Sequence, residues 1–216
     1  MERMGAVPQA EAPNPEAATA TPLHFVAPTE FVDLPSMGLG YDKSHPMHGK
    51  DTIEIRFMTA KDEDILTSRS LLKKGVALER LIDNLLVNQG LTSKEILIGD
   101  RNAIIIAARS SAYGHLYETK VQCPACQASN KVTFDLSAPK IKESNFDDFD
   151  YEETNFGTYV VETPKSKIKV EMRLLNGQDE SKLVKAMGKS KEAEDIITTQ
   201  MKLYIVSVNE HKGPQF

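Results

Sequence analysis

The chain has 216 residues, 26 of them basic and 31 acidic, for a formal net charge of −5. That length suffices for one core of moderate size with a smaller unit beside it, and the negative balance supplies no sequence-wide field to draw in a polyanion, which argues against nucleic acid as the partner. The longest apolar run, Ala103 to Ala108, falls far short of the about 18 residues a membrane span needs, and the polar, Pro-rich start has no apolar signal core, so the expectation is a soluble protein made in a cytoplasm.

Seven of the prolines lie before Gly49, in sequence with neither helical nor strand periodicity, which predicts an extended arm over residues 1–49. Two apolar islands interrupt it, Leu23 to Val26 and Phe31 to Tyr41. Such anchors suit an arm that lies on a surface, its own or a partner's. Pro35 limits the entropy lost on docking, and Gly38 and Gly40 allow close backbone approach. Phe31, Leu34, Pro35, Leu39 and Tyr41 are the expected partner-binding segment, with packing of the arm on its own domain as the alternative.

From Thr52 the pattern is regular. Ile53, Ile55 and Phe57 alternate with Glu54 and Arg56 as in a half-buried strand, and Thr59 with Asp62 reads as a capping box opening a helix that runs to about Lys74 and stops at Gly75. Leu78, Leu81, Ile82, Leu85 and Leu86 form an amphipathic stripe ended by Gly90. Asp100 is the expected N-cap of a third helix, Arg101 to Tyr113, although Ile104 to Ile106 also suit a buried strand. After Gly114 the period becomes two. Tyr117, Thr119 and Val121 precede, and Val132, Phe134 and Leu136 follow, the Cys123-Pro-Ala-Cys126 turn, placing it at the tip of a hairpin. An acidic stretch leads to a second hairpin, Thr158 to Glu162 and Lys167 to Leu175 with Pro164 in the turn, and then to two helices, about Asp179 to Met187 and about Glu192 to Val208. The expected fold class is α+β: a small helical domain with a zinc-ribbon-like β-hairpin and a second β-hairpin followed by helices, behind an extended N-terminal arm. Its expected divisions are 1–49 (arm), 50–115 (strand plus helices), 116–137 (Cys-containing hairpin), 138–157 (acidic linker) and 158–216 (hairpin plus C-terminal helices).

Cys123 and Cys126 are the only cysteines, too close in sequence to brace a fold. Three readings compete. As metal ligands they would fill half of a tetrahedral zinc shell, since a C-x-x-C turn sets both sulfurs on one side of the backbone. As a redox pair they would want a helix N-terminus behind the first sulfur, whereas a turn into a strand follows here. As plain small residues in a turn they would do no chemistry. The strand–knuckle–strand setting favours metal. Completion of the shell needs ligands from outside the chain or a mixed Cys/His set drawing on His45, His48 or His115. Asp100, Arg101, Arg109 and His115 read as an N-cap and helix-face charges rather than acid–base machinery, and the sequence has no phosphate cradle, Ser-centred elbow or H-E-x-x-H. An enzyme is not expected.

Several blocks together carry a resemblance: Leu34-Pro-Ser-x-Gly-x-x-Tyr41, Met58-Thr-Ala-Lys-Asp-Glu-Asp-Ile-Leu66, Gly99-Asp-Arg101 leading to Ala108-Arg109 and Ala112-Tyr-Gly114, Cys123-Pro-x-Cys126 and Phe134-Asp-Leu136. In this order, from about Leu34 to Val208, the chain resembles the baseplate hub and hub-assembly proteins of T-even-type contractile-tailed bacteriophages. The resemblance implies a late structural or assembly protein of a phage tail, acting through contacts with other baseplate hub and tail proteins, assembled in the host cytoplasm and placed in the virion tail baseplate. It also implies a second cysteine pair nearer the C-terminus; the chain reaches Phe216 before one, so the expectation is that a complete relative runs further. The competing expectations are a zinc-ribbon adaptor for nucleic acid, against which stands the scarcity of basic residues around the hairpin beyond Lys120 and Lys131, and a CxxC thiol oxidoreductase.

Overall fold

A computed structural model describes residues 28–137, 150–188 and 193–212. The fold is α+β. In chain order its elements are β1 (Thr29–Asp33), β2 (Thr52–Arg56), α1 (Ala60–Thr67), α2 (Arg69–Lys74), α3 (Ala77–Leu85), α4 (Ile98–Tyr113), β3 (Leu116–Gln122), β4 (Ser129–Asp135), β5 (Tyr151–Glu153), β6 (Thr158–Glu162), β7 (Lys169–Arg173), α5 (Gly177–Met187), α6 (Ala193–Tyr204), β8 (Ile205–Val208) and β9 (His211–Lys212). The strands form three antiparallel sheets: β1–β2, β3–β4, and a five-stranded meander β5-β6-β7-β8-β9.

The main core lies between the β1–β2 ribbon and helices α3 and α4. Alternation in β2 sends Ile53 and Ile55 inward, opposite Val32 of β1 in the case of Ile53. Against them pack Leu81, Ile82 and Leu85 of α3, Leu91 and Ile96 of the following loop, and Ile104 and Ala108 of α4. The α3 stripe is narrower than its spacing suggests, since Leu78 is exposed. The helix also stops well before Gly90, at Leu86, whose backbone forms a bridge with Ile55 and so continues into sheet-type pairing. The single helix expected up to Gly75 is two, broken at Ser68, whose extended backbone (ψ 109°) cannot continue a helix. Its opening capping box is present, with the Asp62 carboxylate accepting from the Thr59 N–H at 2.9 Å and from the Thr59 hydroxyl at 2.8 Å.

Three sequence expectations fail here for physical reasons. First, Pro28 to Lys50 is not an extended arm but packs on its own domain, the alternative given above: β1 pairs along its whole length with β2, and the segment after it folds back so that Leu34 N–H meets the Asp51 carbonyl (2.7 Å) and Gly49 N–H the Gly38 carbonyl (3.0 Å). Gly38, at φ 74°, is held where a Cβ would lie 2.2 Å from the Lys50 nitrogen. Residues 1–27 of the expected arm lie outside the described residues. Second, Asp100 is not an N-cap; the cap position is Leu97, and Asp100 stands inside the first turn of α4, fully buried. Third, the last helix ends at Tyr204, because Ile205 to Val208, β-branched at three of four positions, finds a ladder on β7. The second hairpin is thus the centre of the five-stranded sheet. Of the expected acidic linker, residues 138–149 lie outside the described residues, and the rest holds β5 and the turn into β6.

Asp100 is instead the hub of a buried polar node. Its Oδ1 accepts from the Ser36 N–H (3.0 Å), and its Oδ2 from the Ser36 hydroxyl (2.7 Å) and the Tyr41 hydroxyl (2.7 Å). The Tyr41 oxygen in turn accepts from the Leu97 N–H (3.0 Å). Burial, helped by the Asp100 carboxylate beside it, drives the Tyr41 hydroxyl far above the usual phenol range, so it remains a donor. An acidic residue in the first turn of α4 also opposes the positive end of its dipole.

The same region joins the five-stranded sheet to the core. Ile98 N–H donates to the Leu175 carbonyl, Gly177 N–H to Ile96 and Gln178 N–H to Lys94, so the chain entering α5 runs antiparallel to the chain entering α4. Buried Arg101 on α4 is ion-paired with Glu180 on α5, and Asp179 with Arg173 and Lys182. On the other side Gly157, at φ 69°, lets the turn before β6 pass so close to Gly40–Tyr41 that a Cβ there would lie 2.5 Å from the Tyr41 carbonyl carbon.

Two outcomes test this account. Tyr41→Phe keeps the ring and removes the hydroxyl, leaving the Leu97 N–H and one Asp100 contact without a partner; urea denaturation should show a loss of about 1–3 kcal/mol, and an unchanged midpoint would dismiss the node as a source of stability. The second concerns Asp62, where burial raises the carboxyl pKa but is outweighed by the bidentate Arg56 (2.7 and 2.8 Å) and by the Thr59 N–H and hydroxyl, so that the folded-state value lies well below the unfolded one. A depressed carboxyl contributes stability above its unfolded pKa and loses it as pH falls. The parent should therefore exceed Asp62→Asn in stability near neutrality, with the gap closing as pH drops below about 3.9.

Candidate functional site

The β3–β4 hairpin carries the residues with reactive chemistry. Its register pairs Leu116 with Asp135, Tyr117 with Phe134, Thr119 with Val132, Lys120 with Lys131, Val121 with Asn130 and Gln122 with Ser129. Because directly opposed residues share a face, one face holds Tyr117, Phe134, Val132 and Val121, while the other holds Glu118, Thr133, Lys120 and Lys131. The ribbon is amphipathic, yet Tyr117, Val121 and Phe134 of its apolar face are exposed. Arg109 of α4 lies over the Tyr117 ring at 5.0 Å from its centre.

At the tip, Cys123 N–H donates to the Ala128 carbonyl (2.9 Å) and Gln127 N–H to the Cys123 carbonyl (2.8 Å), with Gln127 left-handed at φ 59°. The backbone N–H groups of Cys126 and Ala125 and the Cys126 thiol hold the Cys123 pKa below the ordinary thiol range. Cys126 is exposed and Cys123 partly so; neither forms a disulfide. The two thiols thus sit on one tight hydrogen-bonded turn between β3 and β4. A strand follows it, so no helix N-terminus stands behind Cys123 as the redox reading needs.

The chain contains the same turn twice, 40 residues apart, a repeat that the sequence reading missed. Thr163 N–H donates to the Ile168 carbonyl (2.9 Å), Lys167 N–H donates to the Thr163 carbonyl (3.0 Å), and Lys167 is left-handed at φ 54°. Thr163-Pro-Lys-Ser166 thus stands in the second hairpin where Cys123-Pro-Ala-Cys126 stands in the first, and the Thr163 and Ser166 hydroxyls, in the sulfur positions, are 2.6 Å apart. The signal was available as Val-[Gln/Glu]-x-Pro before each turn. It was hidden because only the cysteines were read as chemistry.

Two thiols are half of the four ligands that a structural zinc ion takes. Among the described residues no group of three His, Cys, Asp or Glu side chains is gathered as a metal site. The mixed Cys/His completion fails on position: His115 lies at the opposite end of the hairpin, its carbonyl accepting from Leu136 N–H; His45 stacks on Tyr41 at 4.7 Å; and His48 Nδ1 lies 3.0 Å from the Tyr41 carbonyl oxygen. Arg109 bonds the Gly114 carbonyl and Arg101 the Glu180 carboxylate, so the residues once considered for acid–base work are scattered over capping and packing contacts.

The expected docking segment is divided. Leu34 (1% exposed) and Tyr41 (4%) belong to the chain's own core, Pro35 is half-buried, and Phe31 (71%) and Leu39 (42%) face outward, joined by Met37 (57%). Phe31 edges an open groove of about 450 Å³ whose lining includes Met47, Ile53, Glu54, Val87 and Leu91. Among the described residues no helix is long and apolar enough to cross a membrane.

A search of curated proteins and a search of solved structures each returned no match. The family model described as T4 bacteriophage base plate protein matches residues 41–157, just over half of the chain. It takes in α1 to α4, the thiol-bearing hairpin and β5, and its two ends, Tyr41 and Gly157, are the residues whose backbones meet in the close approach described above. The chain belongs to the T4 bacteriophage base plate protein family and is a component of a T4-like phage baseplate.

Proposed function

We propose that the protein is a structural or assembly component of the baseplate hub and that it works through protein–protein contacts without a catalytic step. The observation that carries this reading is the β3–β4 ribbon: two strands with an apolar face left exposed and, among the described residues, both edges unpaired, where the same hairpin unit in the second half of the chain is flanked by β5 and β8. A lone two-stranded ribbon is marginal in water, and large exposed apolar side chains on a regular element suit a surface meant for a neighbour. Phe31 and Leu39 supply a second contact region, on the side where Leu34, Pro35 and Tyr41 fix the backbone that presents them. The neighbours are other hub and tail proteins, met in the host cytoplasm during assembly, with the tail baseplate as the final location.

Co-expression with the other hub proteins of the same phage, followed by affinity capture and measurement of binding by calorimetry, tests this. Val121→Ser combined with Phe134→Ser should weaken capture by about tenfold or more, as should Phe31→Ser, each with unaltered far-ultraviolet circular dichroism. Unchanged affinity in both variants would remove these surfaces from the function.

A further inference from the structure

We propose that Cys123 and Cys126 are one half of a tetrathiolate zinc site that closes between two copies of this chain, hairpin tip to hairpin tip. The first ground is the pair of matching turns. Thr163-Pro-Lys-Ser166 adopts the same backbone, with the same two hydrogen bonds and the same left-handed fifth residue, using hydroxyls alone. The turn therefore needs no sulfur and no metal to form. What the cysteines add to the first turn is a pair of soft ligands on a preformed support.

The second ground is the surroundings. Lys120 and Lys131 face each other directly across the strands, an arrangement that destabilises a bare ribbon. They stand three and five residues from the nearer cysteine in sequence, within about 10–17 Å at strand rise. One zinc ion with four thiolates carries a charge of −2, and two hairpins bring four such lysines to it. The like-charged pair is then a counter-charge and not a fault.

The third ground is ligand number. Structural zinc takes four ligands, and among the described residues no third His, Cys, Asp or Glu is gathered at the knuckle. His115, at the other end of a seven-residue strand, is about 20 Å or more away at strand rise. A two-fold axis through the metal supplies the missing pair with the same geometry, and it brings like surfaces together as an isologous contact requires. Cys126 is exposed at the tip, so nothing among the described residues blocks the approach. On closure each of the four thiols gives up its proton to solvent and each sulfur donates a lone pair to zinc; no oxidant or reductant takes part. Affinity should accordingly rise with pH.

The experiment uses the full chain, stripped of metal and kept under a phosphine reductant. Zinc is titrated while sedimentation velocity and native mass spectrometry report size and metal content, and cobalt(II) is added in parallel as a spectroscopic probe. The expected result is a dimer holding one zinc per two chains, dispersed by chelator, with intense thiolate-to-cobalt charge-transfer and tetrahedral d–d bands. A second variant, Cys123→Thr with Cys126→Ser, copies the matching turn; it should retain the parent's circular dichroism and melting temperature and lose both the metal and the zinc-dependent dimer. Zinc bound at one per chain without a change in size would overturn the proposal. So would the absence of zinc binding at micromolar metal, a dimer that persists in the double variant, or metal uptake that occurs only when a different baseplate protein is added.

Discussion

The Asp100 carboxylate is the point on which the molecule is assembled. Buried with no cation paired to it among the described residues, it is held by three donors from Ser36 and Tyr41 and by the first turn of α4 around it. Each bond reaches across the fold. Ser36 and Tyr41 bring the Leu34–Lys50 segment down over the helices, covering Leu34 and Met47. The Tyr41 oxygen then takes the Leu97 N–H, which sets the strand-like stretch before α4, and that stretch in turn receives Asn176 and the start of α5. The order in which N-terminal segment, helices and second sheet are tied together therefore runs through a single side chain. An uncompensated charge left there would cost more than any one apolar contact nearby.

The two hairpins show how one supersecondary unit can be put to two uses. Around β6 and β7 the unit is absorbed into a sheet, flanked by β5 and β8, and Glu171 of β7 accepts from Thr158 at 2.7 Å and from Ser207 at 2.8 Å to bind three strands together. Around β3 and β4 it is a separate two-stranded sheet, its edges unpaired among the described residues and its apolar face exposed. The fold of the first hairpin is supported by its turn and by Arg109 over Tyr117, whereas that of the second is supported by its neighbours. Membership of the baseplate family gives this contrast meaning, since a part of a multi-protein assembly has to leave some of its pairing capacity for others.

Much of this was legible in the residues, for reasons that can be named. Ile53 and Ile55 have a period of two and face inward; Leu81, Ile82 and Leu85 have helical spacing and do the same; the change of period after Gly114 marks the thiol-bearing hairpin. Local pattern failed where a distant partner decided the outcome. Prolines before Gly49 suggested an arm, but β1 has β2 to pair with and Tyr41 has Asp100. Asp100 has the chemistry of an N-cap, yet the helix starts earlier because Leu97 is held by Asn176 and Ile98 by Leu175. Ile205 to Val208 continues a helical reading until β7 offers a ladder. Within the expected docking segment, Phe31 is exposed and Val32 buried because β1 pairs with β2, and nothing local distinguishes a Leu34 that packs inward from a Leu39 that stays exposed.

The span of the Tyr41–Asp100 bond has a consequence in time. The two residues are 59 positions apart, and Ser36 is 64 from the same carboxylate. A ribosome adding about 5–20 residues per second therefore exposes Tyr41 for roughly 3–12 s before Asp100 follows it, with Leu34 and Met47 uncovered alongside. Throughout that interval the segment that ends in the core has no core to enter. The nascent chain thus offers an apolar stretch that the finished protein hides, and the synthesis of α4 withdraws it.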